Sequence, residues 1–132
     1  MSQKIKHLEF LVATIARLAG HSFQLKGWSV VVVSALFAIS ASTSQSVFVL
    51  LAAIPALVFW GLDGFYLATE TAYRTKYDDV RRRNEDNIDF DMSLPYGNVG
   101  YGEWASALGS RTVFPFHGAI IIAVVIVATS LR

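Results

Sequence analysis

Three ionisable side chains stand inside or beside apolar runs, and they are the residues best placed for proton chemistry. Asp63 and Glu70 follow the apolar segment VFVLLAAIPALVFWGL, and His117 lies near the start of the last apolar run. A carboxylate and an imidazole can act as general acid and base. No nucleophile motif accompanies them, the chain contains no cysteine, and its three histidines have no metal-binding spacing. The sequence therefore predicts no enzyme, no metal site and no cofactor.

Asp63 and Glu70 belong to a stripe whose members are spaced alternately three and four residues apart. This heptad spacing keeps one side of a helix turned toward a neighbouring helix. We expect the stripe to line an oligomer or a pore, because an ionised Asp63 facing lipid would cost about 3 kcal/mol. Alternatively, the two carboxylates mark the point where the helix leaves the membrane. The stripe consists of Ala56, Phe59, Asp63, Tyr66, Glu70, Tyr73, Tyr77 and Val80.

The composition indicates an all-α membrane protein. Of 132 residues, 54% are hydrophobic, and the mean hydropathy is +0.47. The apolar residues come in blocks, which is typical of membrane spans rather than of one large core. A net charge of +1 gives no electrostatic case for nucleic-acid binding. We expect residues 1–132 to form a single membrane domain whose partners are the lipid bilayer and further copies of the chain.

An amphipathic helix and three spans are predicted. Residues 3–25 fit a helix lying in the cytoplasmic interface, which either covers the bundle or senses lipid. Spans are expected at 27–43, 47–83 and 113–131. The segment 47–83 has no helix-ending signal, so it would be about 55 Å long at 1.5 Å per residue, and about half must lie in the cytosol. His117, at the start of the third span, is either an interfacial histidine capped by a neighbour or a proton relay.

One feature of the first span resembles a secretory signal. The small residues around Ala38-Ile39-Ser40 match a cleavage site. The basic region before the apolar run is too long for the usual signal layout, so we expect the segment to remain. The short uncharged turn at residues 42–46 then joins the first two spans into a helical hairpin.

The segment 84–112 is predicted to be a short irregular cytosolic loop. It is acidic and rich in glycine and aromatic residues, with turn signals at Pro95, at residues 96–98 and at 100–102. Residues 88–92 could form one short strand and residues 103–109 one or two helical turns. The loop either contacts a ligand or partner, which would be a cytosolic protein or a small signalling molecule, or packs under the bundle. Candidate contact residues are Arg81, Arg82, Arg83, Asp89, Asp91 and Trp104.

The arginines Arg81 to Arg83 close the long helix and have four interpretations. They form a solvated helix end, contact acidic lipid headgroups, pair with the acidic loop, or hold a phosphate-bearing ligand. In a three-span arrangement, only Arg132 lies on the opposite side from the other basic residues. The positive-inside rule then places the N-terminus in the cytoplasm and the C-terminus outside a bacterial inner membrane. The residues on the cytoplasmic side are Lys4, Lys6, Arg17, Lys26, Arg74, Lys76, Arg81, Arg82, Arg83 and Arg111.

Several segments together resemble a group of small bacterial three-span membrane proteins, mostly without assigned function. The matching stretches are KHLEF (6–10), HSFQLKGW (21–28), FWGLDGFYL (59–67), ETAYRTKY (70–77), IDFDM (88–92) and Trp104 before the last span. Thr71 replaces the arginine usual in the group. The resemblance covers nearly the whole chain and implies the three-span architecture and a role as an effector in anti-phage defence.

Two functions follow from these observations. The first is an oligomeric inner-membrane effector that perturbs membrane integrity or ion permeability on a cytosolic signal. The second is a membrane anchor or scaffold that holds a soluble cytosolic partner through the loop 84–112. A lone unit of three helices cannot enclose a pore, so the first function requires self-assembly.

Overall fold

All regular structure in the described part of the chain is helical. The computed structural model describes residues 2–94 and 100–130. The helices are α1 (Gln3–Thr43), α2 (Val47–Leu51), α3 (Ala53–Arg81), α4 (Tyr101–Leu108) and α5 (Phe114–Ser130), with a 3-10 turn at Glu85–Asn87. This confirms the all-α prediction. The predicted turn at Pro95 and residues 96–98 lies outside the described residues, as does Leu131 at the end of the expected third span.

The first helix is longer than expected and has no break. Residues 3–25 and 27–43 were expected as an interfacial helix and a separate span, but both belong to α1, which has 41 residues. At 1.5 Å per residue α1 is about 60 Å long. Gly20 and Gly27 lie within it without a proline nearby, and glycine alone weakens a helix without ending it. The expectation of a separate interfacial helix is therefore corrected.

The second expected helix is present, with one irregular position near its start. Pro55 has no N–H, so the carbonyl of Leu51 loses its usual partner and α2 ends there. Ala52 keeps right-handed helical angles (φ −65, ψ −22). Its N–H donates to the carbonyl of Phe48 at 3.2 Å. The chain therefore stays helical from Val47 to Arg81, which confirms the long helix that the sequence predicted.

Two helical stretches are long and apolar enough to cross a membrane: Gln3–Thr43 and Val47–Arg81. In the most apolar part of each stretch only 17% and 28% of the residues are buried. A core helix of a soluble protein would be mostly buried, so the exposed apolar surface is compatible with a membrane location. The apolar helix α5 is shorter, with 17 residues.

The helices meet along one antiparallel pair. The most extensive helix–helix contact joins α1 and α3. At one end of this pair, α2 and α5 complete a small apolar core. The buried members of that core are Val33, Val49, Ala52, Ala56 and Val124. The remainder of the α1–α3 pair continues past this core toward the N-terminus of α1.

Helix α4 lies directly on α3 because Gly64 leaves room for it. A Cβ at Gly64 would stand 2.5 Å from Cδ2 of Leu108. Trp104 of α4 donates its indole N–H to the carbonyl of Gly61 at 2.9 Å. In return, Trp60 of α3 donates to the carbonyl of Leu108 at 3.1 Å. Two indole hydrogen bonds, one donated from each helix, therefore hold α4 against α3.

Residues 88–92 form no strand, which corrects the sequence expectation. They follow the 3-10 turn Glu85–Asn87 as an irregular segment. Phe90 has a φ of 56, a left-handed conformation that β-strands exclude and that costs a bulky residue energy. The expected helical turns at 103–109 are present within α4, which begins two residues earlier.

We predict that Gly64→Ala weakens the docking of α4. The added methyl group must displace the Leu108 side chain, which should cost about 1–3 kcal/mol of stability. Gly118→Ala in α5 is the control, because nothing lies within 4 Å of a Cβ at that position. Thermal unfolding in detergent, followed by circular dichroism, measures both. Equal midpoints for the two variants would contradict the close approach at Gly64.

Candidate functional site

A fully buried carboxylate joins three helices. Asp63 of α3 has no exposed surface. Its Oδ2 accepts hydrogen bonds from Nζ of Lys26 at 2.6 Å and from Nε2 of His117 at 2.9 Å. Its Oδ1 accepts from the hydroxyl of Ser22. Lys26 also donates to that hydroxyl at 2.9 Å. We call Ser22, Lys26, Asp63 and His117 the polar cluster.

The imidazole of His117 is held in one orientation. Nε2 must carry a proton to donate to Asp63, whereas Nδ1 is buried and has no partner among the described residues. Trp60 stacks on the ring at 6.4 Å with an 8° angle between the planes. The docking of α4 on Trp60 therefore also supports His117.

The polar cluster sits where the apolar part of each helix meets its polar part. Lys26 immediately precedes the apolar half of α1, Asp63 follows the apolar half of α3, and His117 lies in the first turns of α5. The carboxylate accepts three hydrogen bonds, one at Oδ1 and two at Oδ2. The cluster therefore joins α1, α3 and α5 through one carboxylate.

The predicted seam on α3 contacts another helix of the same chain. Asp63 is fully buried among residues of the same molecule, so it does not face a second copy. Tyr66 packs against His21 of α1, with ring centres 5.6 Å apart. Glu70 is 8% exposed and pairs with Arg74 at 2.9 Å, as the four-residue spacing allows. The heptad stripe does meet a neighbouring helix, and that helix is α1. Contacts of the other stripe residues with further copies of the chain stay a prediction.

The remaining seam residues are Phe59, Tyr73 and Tyr77. Phe59 and Tyr77 are half-buried. Tyr73 donates its hydroxyl to the carbonyl of Met92 at 3.0 Å. That contact belongs to a second feature of the structure, a segment that crosses α1 and α3 and is formed by residues 88–94. We call this segment the strap.

Three side chains hold three successive carbonyls of the strap. Nε2 of His7 donates to the carbonyl of Asp91 at 3.0 Å, and Tyr73 donates to that of Met92. The ammonium of Lys76 donates to the carbonyl of Ser93 and lies 3.6 Å from the carboxylate of Asp91. His7 and Lys76 are 0% and 7% exposed. The strap is therefore bound mainly through its backbone.

A second carboxylate attaches the chain just before the strap to the start of α1. Glu85 accepts hydrogen bonds from the hydroxyl of Ser2 at 2.7 Å and from the backbone N–H groups of Gln3 and Lys4. Helix starts carry unpaired N–H groups and a partial positive charge, so a carboxylate is favourable there. The hydrogen bond from Ser2 is the main reason that the pKa of Glu85 is lowered. The Ser93 hydroxyl has the same effect on the pKa of Asp91.

The predicted cytosolic contact residues are split between elements. Arg81 pairs with Asp78 at 3.0 Å. Arg83 pairs with Asp79 at 2.6 Å and with Asp89 at 3.5 Å. Asp91 holds the strap to Lys76, and Arg82 is exposed. Trp104, in α4, contacts Gly61 of α3 instead. Arg83 thus pairs with the acidic loop, one of the four interpretations considered, and these residues do not form one surface.

The sequence did not identify Ser22, Lys26 and His7 as site residues. Lys26 and Asp63 have opposite charges and flank apolar runs at the same end of a helical hairpin. This pattern could have predicted their ion pair. The sequence contains no such pattern for His7, because its partner is a backbone carbonyl. The described residues contain no group of three or more His, Asp or Glu side chains that could hold a metal.

The chain matches no family model, no curated protein and no solved structure. Its function must therefore be argued from the geometry above.

We predict that Asp63→Leu strongly destabilises the helical bundle. It leaves the ammonium of Lys26 and the Nε2–H of His117 without their acceptor, which should cost about 3–5 kcal/mol. The double variant Lys26→Met/Asp63→Leu should recover part of that loss, because an apolar pair can replace a buried ion pair. Thermal unfolding in detergent measures both. Glu70→Gln is the control, since its exposed partner limits the loss to about 0–1 kcal/mol. A double variant no better than Asp63→Leu would contradict the ion pair.

We predict that the cap on α1 is lost in acid. The pKa of Glu85 in the folded chain lies below its ordinary value of 4.5. Its stabilising effect is therefore complete above that value and disappears as the pH falls through the lowered pKa. The unfolding midpoint of Glu85→Gln should lie below that of the unaltered protein at pH 7, and the two should converge in strong acid. Glu103→Gln, an exposed residue of α4, is the control. A midpoint difference independent of pH would contradict the cap.

Proposed function

We propose that the protein is an oligomeric inner-membrane effector that perturbs membrane integrity or ion permeability on a cytosolic signal. In this proposal the apolar parts of α1, of Val47–Arg81 and of α5 cross the bilayer. The N-terminus, the strap and α4 lie in the cytoplasm, and the C-terminus lies outside. The distribution of basic residues supports this orientation. A role in anti-phage defence is what the sequence resemblance implies, and it forms part of the proposal.

The polar cluster carries the proposal. A buried ion pair contributes little net stability compared with apolar packing, and specifying one arrangement or switching between two is its best-attested use. Here one carboxylate fastens three helices at the level where their apolar parts begin. If Asp63 separates from Lys26 or His117, unpaired polar groups are exposed at the cytoplasmic end of the bundle. We therefore interpret the cluster as a latch that keeps the effector closed.

Helix α1 supplies a route from the strap to the latch. His7, which holds the strap, and Lys26, which holds Asp63, lie on the same unbroken helix. They are separated by about 28 Å at 1.5 Å per residue. A signal that displaces the strap removes the partners of His7 and Tyr73, and the resulting movement of α1 acts on Lys26. The strap is thus the proposed receiver of the signal.

Because α1 already covers Asp63 and Tyr66 of the α3 seam, we propose that copies also meet through other surfaces. Exposed apolar side chains cover the outside of α5, and three of them are 55–60% exposed: Ile122, Val125 and Ile126. In a membrane these side chains face either lipid or a further copy. Because one chain has too few helices to enclose a pore, a conducting state requires contacts of this kind.

A scaffold for a soluble partner is the second candidate, and one observation favours it. The N-terminal part of α1 exposes apolar side chains far from the apolar core. Ile5 is 51% exposed, Phe10 44% and Val12 52%. Such a surface fits a protein contact. Co-purification of a stoichiometric cytosolic protein, lost when residues 84–112 are deleted, would favour this function.

We predict that opening the latch depolarises the membrane. Lys26→Met should lower the membrane potential of bacteria that express it, whereas the unaltered protein should be silent without its signal. Lys26→Met/Asp63→Leu should be nearly silent, because no unpaired charge remains. A potential-sensitive dye gives the readout, and Glu70→Gln is the control. Native mass measurement in nanodiscs gives the subunit number. A strictly monomeric protein, or unchanged potential in every variant, would count against the effector function.

A further inference from the structure

A small pocket opens on the outside of the α1–α3 pair, next to the polar cluster. Its volume is about 160 Å³, and it is lined by His21, Gln24, Leu25, Trp28 and Tyr66. Several water molecules would fit, since each occupies about 30 Å³ in the liquid. Most of the lining surface is apolar, and the polar groups are the imidazole, the amide and the phenol. The pocket is therefore suited to a small polar group attached to an apolar body.

The residues around the pocket show where it lies along the helices. Tyr66 lies one helical turn from Asp63, and His21 and Leu25 directly precede Ser22 and Lys26 of the polar cluster. Trp28, the residue nearest the apolar half of α1, is 66% exposed. Tryptophan in this position is typical of the boundary between lipid and water. In the proposed membrane placement the pocket thus opens at the depth of the lipid headgroups.

One free positive charge lies next to this pocket. Arg17, His21, Gln24 and Trp28 are spaced four, three and four residues apart, so they share one face of α1. Arg17 is exposed and forms no ion pair with any described residue. Lys26, the other cation nearby, is committed to Asp63. An anion at the pocket would therefore meet Arg17 about 6 Å beyond His21, on the cytosolic side.

We propose that this face of α1, with Tyr66, binds the phosphodiester headgroup of one anionic phospholipid. The acyl chains lie along Trp28 and the apolar half of α1. The phosphate accepts hydrogen bonds from Tyr66, Gln24 and His21, and Arg17 supplies the charge. Arginine suits this task because its guanidinium presents several donors to a phosphate in a fixed plane. Asp63 does not repel the phosphate, because it is buried and compensated by Lys26.

This inference rests on the proposed membrane placement but not on the effector activity. Carbonate extraction of membranes from cells that express the chain tests the placement by itself. Release of the protein by carbonate would overturn both the placement and the lipid site. An integral protein without lipid selectivity would overturn the lipid site alone.

Native mass spectrometry of the full chain, released from detergent, measures the binding of added lipid. We compare phosphatidylglycerol, which carries a net negative charge, with zwitterionic phosphatidylcholine and with soluble glycerol 3-phosphate. We expect one phosphatidylglycerol per chain, bound about tenfold more tightly than phosphatidylcholine, because the trimethylammonium group of phosphatidylcholine compensates the phosphate charge and repels Arg17, whereas phosphatidylglycerol has no cation. Glycerol 3-phosphate should not compete, since it lacks the acyl chains that lie along Trp28.

Three variants assign the binding to this face. Arg17→Gln should weaken phosphatidylglycerol binding about tenfold, and Tyr66→Phe should weaken it by a smaller factor. Arg82→Gln is the matched control, since Arg82 is also exposed and forms no ion pair with a described residue. Circular dichroism verifies that each variant is folded, and the exposed position of Arg17 makes its substitution structurally mild. Equal affinity for both lipids, equal effects of Arg17→Gln and Arg82→Gln, or competition by glycerol 3-phosphate would overturn the proposal.

Discussion

The need of one buried carboxylate for partners determines how the helices of this chain meet. Asp63 is removed from water, and an unpaired charge there would cost several kilocalories per mole. Helix α1 supplies a hydroxyl and an ammonium and α5 supplies an imidazole, so each neighbour contributes to the same two oxygens. Gly64, the next residue, lets Leu108 of α4 approach α3, where Trp60 donates to the Leu108 carbonyl and stacks on His117. Asp63 thus contacts α1 and α5 directly, and α4 packs on the same part of α3.

Away from this centre, the chain is held by backbone contacts. Consecutive carbonyls of the strap are bound by His7, Tyr73 and Lys76, and Glu85 caps the first helix. The side chains of the strap contribute less, and Asp91 is half exposed at 52%. The two ends of the α1–α3 pair therefore differ in physical character. One end depends on apolar packing, and the other depends on hydrogen bonds and charge.

The sequence predicted the helices better than it predicted their partners. The helix from Val47 to Arg81 was predictable because no local signal interrupts it, and Pro55 changes only one position. The continuity of α1 was missed because Arg17 and Lys26 indicated a surface helix, whereas Lys26 turns inward to Asp63. The heptad stripe showed that α3 faces a helix, but the spacing is the same whether that helix belongs to the same chain or to another. No local pattern encodes the contact between His7 and the strap, which joins residues 84 positions apart.

The location of His117 has a consequence for how the molecule is made. The imidazole follows Asp63 by 54 positions, near the end of the chain. During synthesis the carboxylate has only Ser22 and Lys26 as partners until the last helix emerges. The hairpin of α1 and α3 therefore forms around a carboxylate that lacks its third hydrogen-bond donor. His117 of α5 supplies that donor later. Packing of α5 therefore completes the polar cluster, and a chain interrupted before His117 leaves Asp63 without one of its three hydrogen-bond donors.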